Sequence, residues 1–308
     1  MLSAYISHAD CLLHEMGPGH PECADRIAAI RDQLLIKGLL DHMQEVDAPL
    51  ATEAQLARVH SSAYIRDLFA KAPAEGYRQI DPDTSMNRFT LRAALRSAGA
   101  AVLATDMVLA GDTPSAFCCV RPPGHHAERA AAMGFCFFNN VAVGIGHALA
   151  VHGLERIALI DFDVHHGNGS EDIFCGDDRV LMCSTFEEGL YPFSGSQARG
   201  RNMVNVGLPA RSGGDRFRAA VCDQWLPALE TFAPQAIYIS AGFDGHREDD
   251  MGNLGLVEAD YAWVTKQLMA VAGRHAEGRV ISCLEGGYAP SALGRSVAAH
   301  VKVLIGVD

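Results

Sequence analysis

The sequence has no CxxC pair, no charge block, no internal repeat and no excess of positive charge. Its nine cysteines are scattered, several of them in apolar runs such as Phe117-Cys118-Cys119-Val120. Buried free thiols in a reducing compartment are therefore expected, not a disulfide framework or a thiolate metal site. Basic residues number 25 against 37 acidic ones, a formal net charge of −12 that repels phosphate backbones and anionic lipid. That sets nucleic acid and membrane surfaces aside as partners and suits a cationic substrate. The opening residues, MLSAYISHADCLLHEM, have neither a basic start nor a long apolar stretch. No segment reads as the roughly 18 apolar residues of a membrane span, so a cytoplasmic location is expected.

What is present is an alternation of short apolar runs with amphipathic stretches. Phe117–Val120, Ile157–Asp161, Val180–Ser184, Val204–Leu208, Ala236–Ser240 and Val280–Leu284 read as buried strands bounded by polar or turn residues. Phe89–Leu109, Asn140–His152, Asp215–Thr231, Glu258–His275 and Ala289–Leu304 read as helices. Strand and helix in repetition predict an α/β fold, a parallel sheet between helical layers, and residues 1–308 read as one domain. Residues 10–25 and 71–88, rich in Gly, Pro and polar side chains, read as long surface loops that form a binding rim.

Ligands of an open parallel sheet bind beyond the carboxyl ends of its strands. Four polar clusters fall there: His125 and His126 in RPPGHHAE, the run DFDVHHGNG from Asp161 to Gly169, Asp244 after IYISAGF, and Glu285-Gly286-Gly287-Tyr288. Alternation along an extended chain puts Asp161, Asp163 and His165 on one side and Phe162 and Val164 on the other. A carboxylate and an imidazole two residues apart can chelate one divalent ion, and Asp244 supplies a third ligand from a neighbouring strand. Two carboxylates and one imidazole with open positions suit a catalytic zinc, and the same donors admit iron(II), cobalt or manganese. His246, two residues beyond Asp244, is a competing ligand or a loop histidine in the polar run HREDD. The His125-His126 pair has the chemistry for acid and base work near neutral pH. The glycines before Tyr288 allow a tight turn that presents its phenol to a developing oxyanion.

Together these clusters resemble the histone deacetylase superfamily, which includes acetylpolyamine amidohydrolases and acetoin-utilisation proteins. The likeness runs through HEMGPGHPECADR, RPPGHHAE, GFCFFNN, DFDVHHGNG, YPFSGS, SAGFD and LEGGY in the family's order. It implies a three-layer α/β/α fold of the arginase/deacetylase type, with a mostly parallel sheet of about eight strands.

The resemblance also implies roles. Asp163, His165 and Asp244 match the zinc ligands, His126 the general base, His125 its electrostatic partner, and Tyr288 the residue that polarises the scissile carbonyl. Asp161 matches a carboxylate that orients His125 and helps bind a structural potassium ion. The Ser184 hydroxyl, Thr185 and main-chain oxygens of Asp163 and His165 complete that potassium site. Gly134, Phe135 and Tyr191 match the walls of an acyl-lysine tunnel, and Arg26 an arginine lining the acetate exit channel. Asn168, in place of an aspartate, points to the class II-like branch. Tyr191 stands where phenylalanine is commoner. Met251 stands where polyamine-specialised relatives carry a glutamate, so the rim residue offers no charge to a distant ammonium. Related ureohydrolases hold two metals with DxHxD, and Gly167 removes the second carboxylate, so one catalytic metal is expected.

The implied activity is hydrolysis of an acetyl or other acyl amide from acyl-lysine or a similar cationic amine. A polyamine or other small-molecule deacylase with the same machinery is the first alternative. A catalytically inactive acyl-lysine reader is the second, and the intact ligands, histidines and Tyr288 argue against it.

Overall fold

The computed structural model of the chain describes residues 1–307. Ten strands run in chain order: β1 Ser3–Ser7, β2 Met43–Asp47, β3 Arg78–Asp81, β4 Thr84–Met86, β5 Ser115–Cys118, β6 Ile157–Asp161, β7 Val180–Glu187, β8 Met203–Leu208, β9 Ala236–Ala241 and β10 Val280–Leu284. Eight of them form one sheet in the order β2-β1-β5-β10-β9-β6-β7-β8. Every pairing in it is parallel. The expected three-layer α/β/α architecture is what the chain adopts.

Alternation within each strand builds the two layers of core. In β6, Ile157 and Leu159 face one apolar cluster while Ala158 and Ile160 face the other. Tyr238 and Ile239 divide the same way in β9, as do Ile281 and Leu284 in β10. Both faces are covered, so these strands read as continuous apolar runs in the sequence. The chain leaves β5, crosses to β6, β7 and β8, then returns to insert β9 and β10 between β6 and β5. The central strands β5, β10, β9 and β6 are thereby the four that carry the polar clusters at their carboxyl ends.

Several expectations are corrected. Strands β1 and β2 were not distinguished in the sequence: β1 is only SAYIS, and β2 is an edge strand with Gln44 and Glu45 exposed. Helices Asp25–Ile36 and Ser62–Lys71 were also missed. Residues 71–88 are not all loop, since β3 and β4 pair there as an antiparallel hairpin that buries Thr84 and Met86. The helix expected over Asp215–Thr231 is Gly214–Ala220, a wider π turn over Val221–Trp225, and Leu226–Phe232. Pro227, which has no N–H to donate, lies two residues after the wider turn, in the first turn of the helix that follows. Helix Thr90–Ala110 does have the length and hydropathy of a membrane span, contrary to the sequence reading. It packs as a core helix, with 61% of its most apolar window buried in the protein.

Two glycines test the helix packing. A Cβ on Gly99 would lie 2.0 Å from the Pro49 carbonyl oxygen, whereas Gly273, in helix Glu258–His275, has nothing within 4 Å. Gly273→Ala should stabilise by about 0.5–1 kcal/mol through helix propensity. Gly99→Ala should destabilise by about 1–3 kcal/mol, because backbone must move. Denaturant melts of the two variants check the opposite signs.

Candidate active site

Strand β6 ends at Asp161, and the chain then turns so that Phe162 and Val164 enter the core while Asp163 and His165 stay at the sheet's edge. His165 Nδ1 lies 3.0 Å from Asp163 Oδ1 and 3.2 Å from Asp244 Oδ2. Backbone fixes both carboxylates: Gly286 N–H donates to Asp163 Oδ2 at 2.8 Å and Val164 N–H to Asp244 Oδ1 at 2.9 Å. Asp244 Oδ2 is buried and has no hydrogen-bond partner. A Cβ on Gly286 would lie 2.0 Å from that oxygen, and one on Gly242 would lie 1.9 Å from Asp163 Oδ2. The backbone is thus pressed flush against both carboxylates, and side chains other than glycine do not fit there.

The electrostatics of this trio are lopsided. Burial, reinforced by the Asp163 carboxylate, pushes the Asp244 carboxyl up to about 7. Burial opposes charge on His165, but its hydrogen bond to Asp163 and the Asp244 carboxylate beside it outweigh this and carry its pKa up to about 10. Asp163 is held below the ordinary carboxylate range by His125 and His165 despite its burial. Two buried carboxylates with one imidazole, and an orphaned oxygen aimed at that imidazole, fit a divalent cation with nitrogen and oxygen donors.

The paired histidines are held in different states. His125 Nδ1 lies 3.0 Å from Asp161 Oδ2. Burial disfavours its charge, yet Asp163 and Asp161 carry its pKa well above the usual range. His126 Nδ1 lies 2.8 Å from Asn168 Oδ1. The Asn168 Nδ2 donates to Glu128 Oε1 at 2.9 Å, so its oxygen faces the imidazole and His126 carries its proton on Nδ1. Burial and the charges of His125 and His165 hold the His126 pKa well below the usual range. Its Nε2 is therefore a free acceptor.

Tyr288 is oriented from two sides. Its N–H donates to Asp249 Oδ2 at 2.5 Å, and the Arg26 guanidinium lies 4.8 Å from its ring centre. Burial keeps the phenol pKa well above the usual value, so it remains a donor. A cavity of about 240 Å³ joins Tyr288 to His126 and His165 and is lined by Gly134, Phe135, Tyr191 and Met251. The Phe135 and Tyr288 rings are 5.9 Å apart, and Tyr191 stands edge-on to His126 at 5.1 Å. The Tyr191 hydroxyl is buried without a partner. Ser184 stands opposite Asp161 in the β6–β7 register, with Thr185 next along β7. His246 lies outside the trio, 3.6 Å from Glu258. The second histidine of the DFDVHHG run, His166, pairs with Glu171 at 3.1 Å.

Sequence reasoning gave no role to Glu285, Asp249, Glu22 and Arg121, which support the site, or to Asp83 at its rim. Glu285 Oε2 accepts from Gly124 and His125 N–H at 2.6 and 3.1 Å, and its Oε1 accepts from the Ser240 hydroxyl. Asp249 gathers the N–H groups of Met251, Tyr288 and Ala289, though in the sequence it is one acid within HREDD. Glu22 takes a bidentate pair from Arg121 at 2.6 Å and also meets Arg26 and His14, all fully buried. Asp83, in the β3–β4 turn, joins the cavity lining and accepts from Gly134 N–H at 3.2 Å. It puts a carboxylate at a rim that Met251 alone leaves uncharged.

A parallel sheet that converges buried carboxylates and imidazoles at its central strand ends defines a deacetylase-type α/β enzyme fold. The chain belongs to the histone deacetylase family: the model of the histone deacetylase domain matches residues 20–304. It is 36% identical over 329 residues to the histone deacetylase-like amidohydrolase of Pseudomonas aeruginosa, spanning 99% of this chain and 86% of that protein. It is 35% identical over 328 residues to the polyamine deacetylase HDAC10 of Homo sapiens, spanning 99% of this chain and 48% of the relative. The crystal structure of the HDA15 HD domain matches with a TM-score of 0.92 at 32% identity, covering 99% of this chain and 89% of that one.

Asn168 is the group that fixes the His126 proton. Asn168→Asp would place a carboxylate against Nδ1 and favour the charged ring, raising the His126 pKa by about 1–3 units. The acidic limb of the rate–pH profile should move to higher pH by the same amount. Ring titration by NMR checks the shift without reference to turnover, and an unmoved His126 would contradict the assigned proton position.

Proposed function

We propose that the whole chain acts as one catalytic unit, hydrolysing the acyl amide of an acylated lysine side chain or similar cationic amine with one zinc-type ion. The observation that carries this reading is the convergence of Asp163, His165 and Asp244 beside a cavity that His165 lines, with one carboxylate oxygen left unpartnered. Bound by these three residues, such an ion supplies Lewis acidity toward the amide oxygen and toward a water.

The chain's own groups then divide the proton work. His126, neutral and held through Nδ1 by Asn168, takes the water proton on Nε2. His125, held charged by Asp161, stabilises negative charge beside it. Tyr288, kept protonated by burial, donates to the oxyanion that forms as the carbonyl is attacked. The amine leaves after receiving a proton from the histidine pair. Asp161, the Ser184 hydroxyl and Thr185, with main-chain oxygens of Asp163 and His165, hold a structural potassium ion on this reading. The direct β6–β7 pairing of Asp161 with Ser184 supports it. A cytoplasmic location accords with nine free cysteines.

Phe135 and Tyr191 leave room for an extended aliphatic stem and exclude branched groups. Asp83 gives specific support to the second reading, an acylpolyamine substrate, because its carboxylate is among the groups lining the cavity and would attract a second ammonium. The polyamine deacetylase among the relatives points the same way. Met251, without charge, leaves acyl-lysine as the leading substrate.

Asp163→Ala and Asp244→Ala should each lose the ion and the activity together, measured as metal content and turnover. His126→Ala and Tyr288→Phe should keep the ion and lower kcat by at least about a hundredfold. On wild-type protein, kcat/KM for an acetyl-lysine peptide should equal or exceed that for N8-acetylspermidine. A preference for the polyamine above about tenfold, or 1.4 kcal/mol, would replace the first reading with the second.

A further inference from the structure

At the end of helix Asn140–Val151 remote from the histidine pair, a second set of ligating side chains comes together. His147 Nε2 and His152 Nε2 each lie 2.7 Å from the same atom, Asp106 Oδ1, which projects from helix Thr90–Ala110. His147 and His152 are eight and thirteen residues beyond Asn139, the helix cap beside the active-site loop, so the cluster stands about 12–20 Å away along the helix. The His147 side chain is 7% exposed, His152 24% and Asp106 48%. One side of the cluster is thus held in the protein and the other faces water.

We propose that Asp106, His147 and His152 form a second divalent-cation site, taking an ion of the zinc, cobalt or nickel class. Two imidazole nitrogens and one carboxylate oxygen match the donors these ions prefer, and water fills the remaining positions. Tetrahedral bonds of about 2.0–2.1 Å need ligand atoms about 3.3 Å apart, so each contact must open by about 0.6 Å. Asp106 and His152, the more exposed partners, have the freedom to give that distance.

One neighbour guards the site. Arg58 Nη1 lies 2.6 Å from His147 Nδ1, and a guanidinium can only donate, so the proton of the neutral ring sits on Nε2 facing Asp106. An ion bound at Nε2 moves that proton to Nδ1, and Arg58 must then release the ring. Arg58 also borders a cavity of about 250 Å³, which gives its side chain room to turn away.

Metal-free protein titrated with Zn2+ by calorimetry, with ion content checked by mass spectrometry, tests this directly. Wild type should bind one more ion per chain than His152→Ala or Asp106→Asn, and the first ion should raise or leave turnover alike in all three. Arg58→Gln, whose amide oxygen accepts from a protonated Nδ1, should bind the second ion severalfold more tightly than wild type. Equal ion counts in wild type and both ligand variants, each folded by circular dichroism, would overturn the site. Binding no tighter in Arg58→Gln would overturn the proton exchange on which it depends. Because the strand-end trio is intact in every variant, its occupancy cancels from the comparison.

Discussion

Four carboxyl groups, those of Asp161, Asp163, Asp244 and Glu285, lie out of water at the carboxyl ends of β6, β9 and β10. Two imidazoles, those of His125 and His165, face this negative charge. Uncompensated burial of a single carboxylate costs several kcal/mol, so the fold tolerates four only with a dense set of donors. Glu285 draws two backbone N–H groups and the Ser240 hydroxyl, and Asp163 draws the N–H groups of His165 and Gly286. The backbone reaches these oxygens because positions 242 and 286 lack a Cβ. The oxygen that no donor reaches is Asp244 Oδ2, which faces His165.

Other features follow from that concentration of charge. The carboxylates hold His125 charged, while burial and then the cation beside it keep His126 neutral. Two adjacent residues of one type thereby acquire opposite roles. Behind Tyr288, the Glu22, Arg121 and Arg26 network supplies the rigid wall that such a site needs, with Arg26 donating to the Gly287 and Glu285 carbonyls. Positioning comes from groups whose own hydrogen bonds leave them few alternatives.

The central sheet was legible in the sequence because β6, β9 and β10 are buried on both faces and end in polar clusters. Ile157–Asp161 and Val280–Leu284 needed no correction, since apolar run and polar terminus coincide. Strands β1 and β2 were not legible: one is five residues bounded by serines, and the other is a half-exposed edge. Asp163, His165 and Asp244 stood out because a chelating pair and a lone acid follow strands directly. Glu22 and Arg121 lie 99 residues apart and each alone looks like a surface charge. Asp83 and Asp249 sit in polar loops whose folding back over the site depends on backbone turns, which carry little signature of their target. The rim is therefore where the sequence said least about substrate.

The central claim is that the strand-end trio is built around a dication and that its protons stand in for that ion. The direct measurement is the number of protons released when metal-free protein takes up Zn2+, obtained by calorimetry in buffers of different ionisation enthalpy. With His165 at about 10 and Asp244 at about 7, both above the range of a free imidazole and carboxylate, the trio holds more than one proton at pH 7. The account predicts release of between one and two protons per ion at pH 7, falling toward one by pH 8 as Asp244 loses its own. Uptake of the ion with no proton released would contradict it.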